Sequence, residues 1–215
     1  MKYKNLIFDW SGTLVDDFPP TLEATNVVLK HYGLASMSDG EFRDRFRLPY
    51  TDFYEEVLPD VALAELEDVF RAAFRASTHV VDILPHAREL LEWGRDLGFR
   101  FFVLSSMDAG VFHEQAERLG LTDFFEDIHA GVVDKRLRIA LILEKHGLLL
   151  EETVFIGDMV HDVETAHHGG VSSVAVLTGY DPRARLEAAK PTFLLEDLSH
   201  FRVWLEKSAA ERILP

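Results

Sequence analysis

The sequence predicts a doubly wound, Rossmann-like α/β core built on a parallel sheet, interrupted after its first strand by an inserted α-helical domain. Two observations carry that prediction. Short, nearly continuous apolar runs alternate with helical patterns, as expected of parallel strands covered on both faces. From about Asp16 to Ile83 the alternation stops and only helical patterns remain. The expected division is a core of residues 1–15 and 85–215 around a helical insert of residues 16–84.

In chain order, strands are expected at Asn5–Phe8, Arg100–Ser105, Glu126–Ala130, Thr153–Ile156, Ser172–Leu177 and Thr192–Leu195. Between them, His86–Leu97 carries Ala87, Leu90, Leu91 and Leu97 on one face and stops at Gly98. Val111–Leu119 stops at Gly120, and Leu137–His146 at Gly147. A glycine just past a helix takes the left-handed conformation that other residues resist, so each marks a C-terminus. Strand followed by helix, repeated, gives a doubly wound sheet. Within the insert the clearest helices are Leu22–Tyr32 and Leu63–Ala76. Pro19–Pro20 and Leu84–Pro85 are expected as hinges at its two ends.

The chain has 215 residues, 47% of them hydrophobic, which is enough for one sizeable core. Its 22 basic residues against 37 acidic ones give a formal net charge of −15. That balance works against nucleic acid and anionic membrane as partners and leaves a small molecule. A phosphate site in so acidic a chain needs local positive charge from a cation, a lysine or backbone N–H groups. The absence of cysteine excludes disulfides, zinc–thiolate sites and a thiol nucleophile. The apolar run within Met1–Trp10 is broken by Asp9 and is too short for a signal-peptide core. No stretch approaches the length of a transmembrane helix, so the expectation is a soluble, cytoplasmic protein.

The chemistry concentrates at expected strand ends. Asn5-Leu6-Ile7-Phe8 runs straight into Asp9-Trp10-Ser11-Gly12-Thr13-Leu14-Val15-Asp16. Ligands of open α/β sheets bind beyond the carboxyl ends of the strands, and a carboxylate there can attack phosphorus to form an acyl phosphate. Alone, Asp9 equally suits a turn, with Gly12 providing the bend. Val154-Phe155-Ile156 likewise runs into Gly157-Asp158-Met159-Val160-His161-Asp162, with Asp162 one helical turn beyond Asp158. Two strand-end carboxylates from neighbouring strands make an oxygen-rich site of the kind Mg²⁺ takes; alone, the second pair also suits a helix N-cap and first turn. Ser105-Ser106 ends another strand, where a hydroxyl and backbone N–H groups can hold a phosphoryl oxygen or simply cap a helix. Lys135, between the third strand and its helix, is placed either to neutralise charge or to sit in solvent.

Taken together and in this order, Asp9–Asp16, Ser105, Lys135 and Gly157–Asp162 resemble the haloacid dehalogenase-like hydrolase superfamily. The likeness spans almost the whole chain, including a helical insert similar to the family's cap and Thr178-Gly179-Tyr180 after the fifth strand. It is greatest with the phosphoglycolate-phosphatase-like branch. The resemblance implies a Mg²⁺-dependent phosphatase acting on a small phosphorylated metabolite. Asp9 matches the nucleophile, and Asp158 binds the metal with Asp9 and the backbone carbonyl of Ser11, supported by Asp162. Ser105 and Lys135 match the positions that hold the phosphoryl oxygens and neutralise charge, with Ser106 beside them.

One position departs from that pattern. Most phosphatases of the family carry a second Asp two residues after the nucleophile, to protonate the leaving oxygen and activate water; here it is Ser11. Such acid–base help is worth roughly 10²–10⁴-fold in rate. Several explanations stand open: a leaving group that needs little protonation, another proton source such as His161 or His113, or a catalytically silent binding protein. A further alternative is a phosphonatase, since Asp-Trp-Ser-Gly-Thr resembles the motif of C–P hydrolases. Those enzymes need a cap lysine, and Lys30 is the only lysine between Val15 and Leu84. For substrate binding, the insert offers Arg45, Arg47 and Tyr50, and an arginine's guanidinium suits a carboxylate or second phosphate.

Overall fold

The structure is a computed structural model that describes residues 2–210; residue 1 and residues 211–215 of the expected core lie outside the described residues. The chain runs β1 (Asn5–Phe8), β2 (Val15–Asp16), then the helices α1 (Phe18–His31), α2 (Asp39–Arg45), α3 (Tyr50–Val57) and α4 (Leu63–Ala76). It continues β3 (Asp82–Ile83), α5 (Ala87–Asp96), β4 (Arg100–Leu104), α6 (Ala109–Arg118), β5 (Asp127–His129), α7 (Ile139–His146) and β6 (Thr153–Gly157). Last come α8 (Val160–Gly169), β7 (Ser172–Val176), α9 (Arg183–Ala189), β8 (Phe193–Leu195) and α10 (Leu198–Ala210).

Six strands form one sheet in the order β5-β4-β1-β6-β7-β8, and every pairing in it is parallel. Alternation along each strand sends side chains to opposite faces, and the core divides accordingly. Leu6, Phe8, Phe101, Val103, Val154 and Ile156 pack in one cluster, with residues of α5, α6 and α10. Ile7, Phe102, Leu104 and Phe155 pack in another, with residues of α7 and α8. Burial on both sides is why these strands read as unbroken apolar runs. The chain builds outward from β1 through β4 to β5, then crosses back to β6 and builds the other way. That reversal beside β1 opens the crevice where doubly wound folds bind ligands.

The strand expectations hold to within a residue or two. Gly98, Gly120 and Gly147 take φ of +78°, +62° and +60°, as helix-ending glycines do. Two features differ. Pro19–Pro20 is no hinge: the prolines lie in the first turn of α1, where a missing N–H costs nothing and the fixed φ suits a helix. The ends of the insert are instead joined by β2 and β3, an antiparallel ribbon with Val15 opposite Ile83 and Asp16 opposite Asp82. Two residues per strand are too few for a periodicity to register in sequence.

The inserted helices have their own apolar cluster, in which Phe18, Val28, Leu29, Phe42, Phe53 and Leu66 meet Met159 and Tyr180 of the core. Tyr180 packs among Phe18, Phe42 and Phe46 with ring centroids 5.3–6.4 Å apart. On one side, Arg43 of α2 donates to the carbonyls of Gly179 and Tyr180, and Arg185 of α9 donates to those of Arg43 and Phe46. On the other, Arg71 and Arg75 of α4 pair with Asp108 and Glu114, each at 2.9 Å.

Candidate active site

Asp9 is the first residue past β1, and its N–H donates to the Ile156 carbonyl at 2.8 Å, extending the ladder to β6 by one rung. The backbone then turns sharply: the N–H of Leu14 donates to the Trp10 carbonyl, and that of Gly12 to the Val15 carbonyl, both at 2.8 Å. Gly12 sits at φ +70°, and a Cβ on it would lie 2.5 Å from Asp158 Oδ2. Gly179, from the loop after β7, comes closer still; its Cβ would lie 2.0 Å from the same oxygen. Both loops therefore need glycine to let backbone approach Asp158.

Asp158 follows β6 directly. Its Oδ1 accepts from Thr13 Oγ1 at 2.9 Å and its Oδ2 from the Tyr180 N–H at 2.8 Å. Asp162 lies in the first turn of α8, where its Oδ2 accepts from the N–H groups of Asp158 and Met159. Its Oδ1 accepts from Lys135 Nζ at 2.7 Å, and the same ammonium lies 2.8 Å from Asp9 Oδ1. Carboxylate oxygens of Asp9, Asp158 and Asp162 lie within 4.8 Å of one another, all buried. Lys135 is fully buried.

The charges do not cancel: one ammonium pairs with Asp9 and Asp162, and Asp158 adds a third carboxylate beside them. Burial pushes the Asp9 carboxyl up to about 6, partly opposed by Lys135. Burial, with Asp9 and Asp162 nearby, raises Asp158 well above the usual carboxylate range. Burial works to lower Lys135, but Asp162 and Asp9 outweigh it and keep the lysine charged. An oxygen-only donor set with surplus negative charge fits a hard divalent cation such as Mg²⁺.

Ser105, buried at the end of β4, accepts at Oγ from the Met107 N–H at 3.2 Å, which leaves its own proton free for a ligand. Ser106 lines the same cavity, but its hydroxyl is donated to the Val132 carbonyl at 2.9 Å. Ser11 donates to Asp17 Oδ2 at 2.6 Å, and Tyr180 donates its hydroxyl to Asp17 Oδ1 at 2.9 Å. Asp17 is wholly buried, and burial pushes its carboxyl up to about 7 against those two hydrogen bonds.

A cavity of about 420 Å³ opens between the inserted helices and the strand ends, lined by Asp9, Ser11, Ser105 and Ser106 at its base. Arg45 and Arg47, expected at the substrate, do not line it. Both pair with Glu56 on the surface, at 3.0 and 2.7 Å. The arginine that reaches the cavity is Arg71, with Tyr50 and Glu67 beside it. His161, offered by the sequence as another proton source, is buried and does not line the cavity. Its Nε2 accepts from the Lys135 N–H at 3.1 Å, and burial and then Lys135 lower it to about 4, which leaves a neutral ring whose one proton sits on the buried Nδ1. His113 and Lys30 are exposed, and neither lines the cavity.

Sequence reasoning missed Asp17, because an Asp beside Asp16 at a helix start reads as a capping residue. Tyr180 was noted only as part of a loop after the fifth strand. Arg71 carried no signal, since one face of a charged helix looks like any other.

The match to known proteins covers the same elements. A family model described as haloacid dehalogenase-like hydrolase matches residues 6–176. A phosphoglycolate phosphatase of Synechococcus elongatus is 26% identical over 194 residues, covering 89% of this chain and 92% of that protein. A 5'-nucleotidase of Pseudomonas aeruginosa is 26% identical over 217 residues, covering 96% and 97%. Among solved structures, a predicted phosphatase from Clostridium acetobutylicum superposes with a TM-score of 0.85 at 18% identity, covering 96% of this chain and all of that one. A hydrolase of the haloacid dehalogenase-like family from Streptococcus pneumoniae gives 0.83 at 21%, covering 94% and 98%. The chain belongs to the haloacid dehalogenase-like hydrolase family.

Proposed function

We propose that this chain is a Mg²⁺-dependent phosphatase that hydrolyses a small phosphomonoester through an aspartyl phosphate on Asp9, with residues 16–84 acting as the cap. The observation that carries the reading is the placement of Asp9 at the base of a cavity, 2.8 Å from a buried lysine and beside two further carboxylates. The family match and the phosphomonoester-cleaving relatives support it.

In the first step an Asp9 oxygen bonds to phosphorus and the bond to the leaving oxygen breaks. In the second, water cleaves the acyl phosphate, releasing inorganic phosphate and restoring Asp9. Lys135 offsets charge on Asp9, and the Ser105 hydroxyl is free to donate to a phosphoryl oxygen. This is positioning and charge stabilisation, which phosphoryl transfer mainly needs. Asp9, Asp158 and the Ser11 carbonyl would hold Mg²⁺, with Asp162 fixing Lys135 and the first turn of α8. Bound there, the cation supplies Lewis-acid stabilisation of the phosphoryl charge. Ser11 keeps its carbonyl for that duty, but its hydroxyl proton is directed at Asp17 rather than the cavity. The phosphonatase alternative loses support, since no lysine is among the described residues lining the cavity.

The test is Mg²⁺-dependent phosphate release from nitrophenyl phosphate, with Asp9→Asn as blank and mass spectrometry of quenched enzyme for phosphate on Asp9. Turnover that survives in Asp9→Asn, or tight phosphate binding without any turnover, would sink the reading.

A further inference from the structure

The cavity above Asp9 is chemically two-sided. Its base is polar, formed by Asp9, Ser11 and Ser105, while Phe46, Phe70, Phe74, Met107 and Met159 line it with rings and thioethers, and Leu48 adds an aliphatic side chain. At about 420 Å³ it has far more room than a two-carbon phosphate ester would fill. Its remaining charged lining does not welcome an anion. Arg71 is the one cationic side chain among the described residues lining the cavity. Its guanidinium is already bonded to Asp68 and Asp108, each at 2.9 Å. Glu67, which accepts from Tyr50 at 2.6 Å, faces the cavity too. Arg45 and Arg47, the cations expected to receive a substrate carboxylate, do not line the cavity and pair with Glu56 on the surface. One guanidinium beside the two carboxylates that line the cavity with it, Glu67 and Asp108, leaves a net negative charge there, so a carboxylate-bearing ester meets repulsion and no free partner.

The base of the site points the same way. Ser11 stands where proton transfer to the leaving oxygen would occur, and its hydroxyl is donated to Asp17. His161 is buried with its Nε2 accepting from the Lys135 N–H, His113 is exposed, and neither lines the cavity. An alkoxide leaving group needs a proton as it departs; a phenolate does not, because its charge spreads into the ring. Rings are also what an aromatic and thioether wall holds best.

We infer that the site takes phosphomonoesters of phenol-type alcohols with a flat apolar body, and discriminates against small carboxylate-bearing esters such as phosphoglycolate. This rests on the phosphatase reading above for the chemistry, but not for the recognition. In the step, Asp9 bonds to phosphorus, the aryl oxygen leaves as phenolate with the electron pair of the P–O bond, and solvent protonates it afterwards.

The experiment compares kcat/KM in Mg²⁺ for naphthyl phosphate, phenyl phosphate, phosphoglycolate and adenosine monophosphate. Naphthyl and phenyl esters have similar leaving oxygens, so their ratio isolates the apolar wall. The second ring should favour naphthyl phosphate by about 10-fold, and both aryl esters should exceed phosphoglycolate by about 10²-fold or more. Phe70→Ala should pull the naphthyl-to-phenyl ratio toward one, and Met107→Lys should raise relative use of phosphoglycolate. A naphthyl ester no better than the phenyl ester, or phosphoglycolate equal to either, overturns the inference and leaves the phosphatase reading intact. Calorimetric binding of naphthylmethylphosphonate and phosphonoacetate separates the two claims if nothing turns over. Preference for the naphthyl compound then supports the recognition while the phosphatase reading falls; no preference, or preference for phosphonoacetate, overturns both.

Discussion

Ser11 and Asp17 form a pair in which a hydroxyl occupies the site side and a carboxylate lies behind it, 2.6 Å away. Putting a carboxyl at position 11 alone would press two acids together, and like charges at that distance force them to share a proton. Ser11→Asp should therefore raise turnover of alkyl phosphates only modestly. Ser11→Asp combined with Asp17→Ser, which exchanges the two groups, should raise it by roughly 10²-fold, the usual worth of a positioned acid; steady-state kinetics on glycerol phosphate reads the difference. Asp17 also makes a prediction about pH. Its folded carboxyl is raised to about 7 from 3.8, so between those values the folded chain keeps a proton that the unfolded chain releases. Stability is lost as pH rises through that window and is level above it. Asp17→Asn removes the titration, so it should stabilise the protein above pH 7, by on the order of 4 kcal/mol, with no gain below pH 4. Melting curves across that range check it. At this scale Asp9 and Asp158 were legible as site candidates because each directly follows a strand, whereas Asp162, in the first turn of α8, and Lys135, in the connection after β5, stood out only as members of the set. The sequence concealed Asp17, whose meaning depends on a contact that only the turn creates.

Elements hold the site through close backbone approach. The loops carrying Gly12 and Gly179 both close on Asp158, whose two oxygens are already fixed by Thr13 and the Tyr180 N–H. In Gly179→Ala the new methyl would lie 2.3 Å from the Asp158 Cγ and 2.6 Å from its Cβ, so the whole side chain must shift. Second-contact changes of this kind weaken metal binding by about 10–100-fold. Mg²⁺ titration monitored by activity should show that loss while circular dichroism stays native. Gly12→Ala should do more damage, because a φ of +70° adds backbone strain to the clash. Strands and helix ends were legible here because burial on both sheet faces writes continuous apolar runs, and left-handed helix ends write glycines. The β2–β3 ribbon was not, being two residues deep on each side. Nor was the side of the insert that faces the site. Arg45 of α2 and Arg47 of the α2–α3 loop looked like the substrate contacts, yet both pair with Glu56 and α4 supplies the arginine that lines the cavity, Arg71.

The whole molecule carries a formal charge of −15 and buries three carboxylates around one lysine, and both features bear on how metal, protons and stability are linked. Asp9 is raised to about 6, chiefly by burial, and Asp158 further. In the metal-free protein the folded state therefore holds protons that the unfolded chain gives up. Its stability falls as pH rises from the ordinary carboxylate range through about 6. A divalent cation competes with those same protons, so its affinity rises over the interval in which the bare fold weakens. Ligand binding stabilises by RT ln(1 + [L]/Kd), about 2.7 kcal/mol at a hundredfold excess over Kd. The rise in melting temperature on adding Mg²⁺ should thus be small at pH 5 and grow steadily toward pH 8. Chelation should reverse it, and Asp158→Asn should abolish it at every pH. Sodium chloride at matched ionic strength separates specific binding from relief of general repulsion, because screening acts on the whole negative surface and does not need Asp158. A Mg²⁺ effect equal to that of sodium, or one independent of pH, would remove the metal from this account and leave Lys135 as the sole counter-charge to Asp9.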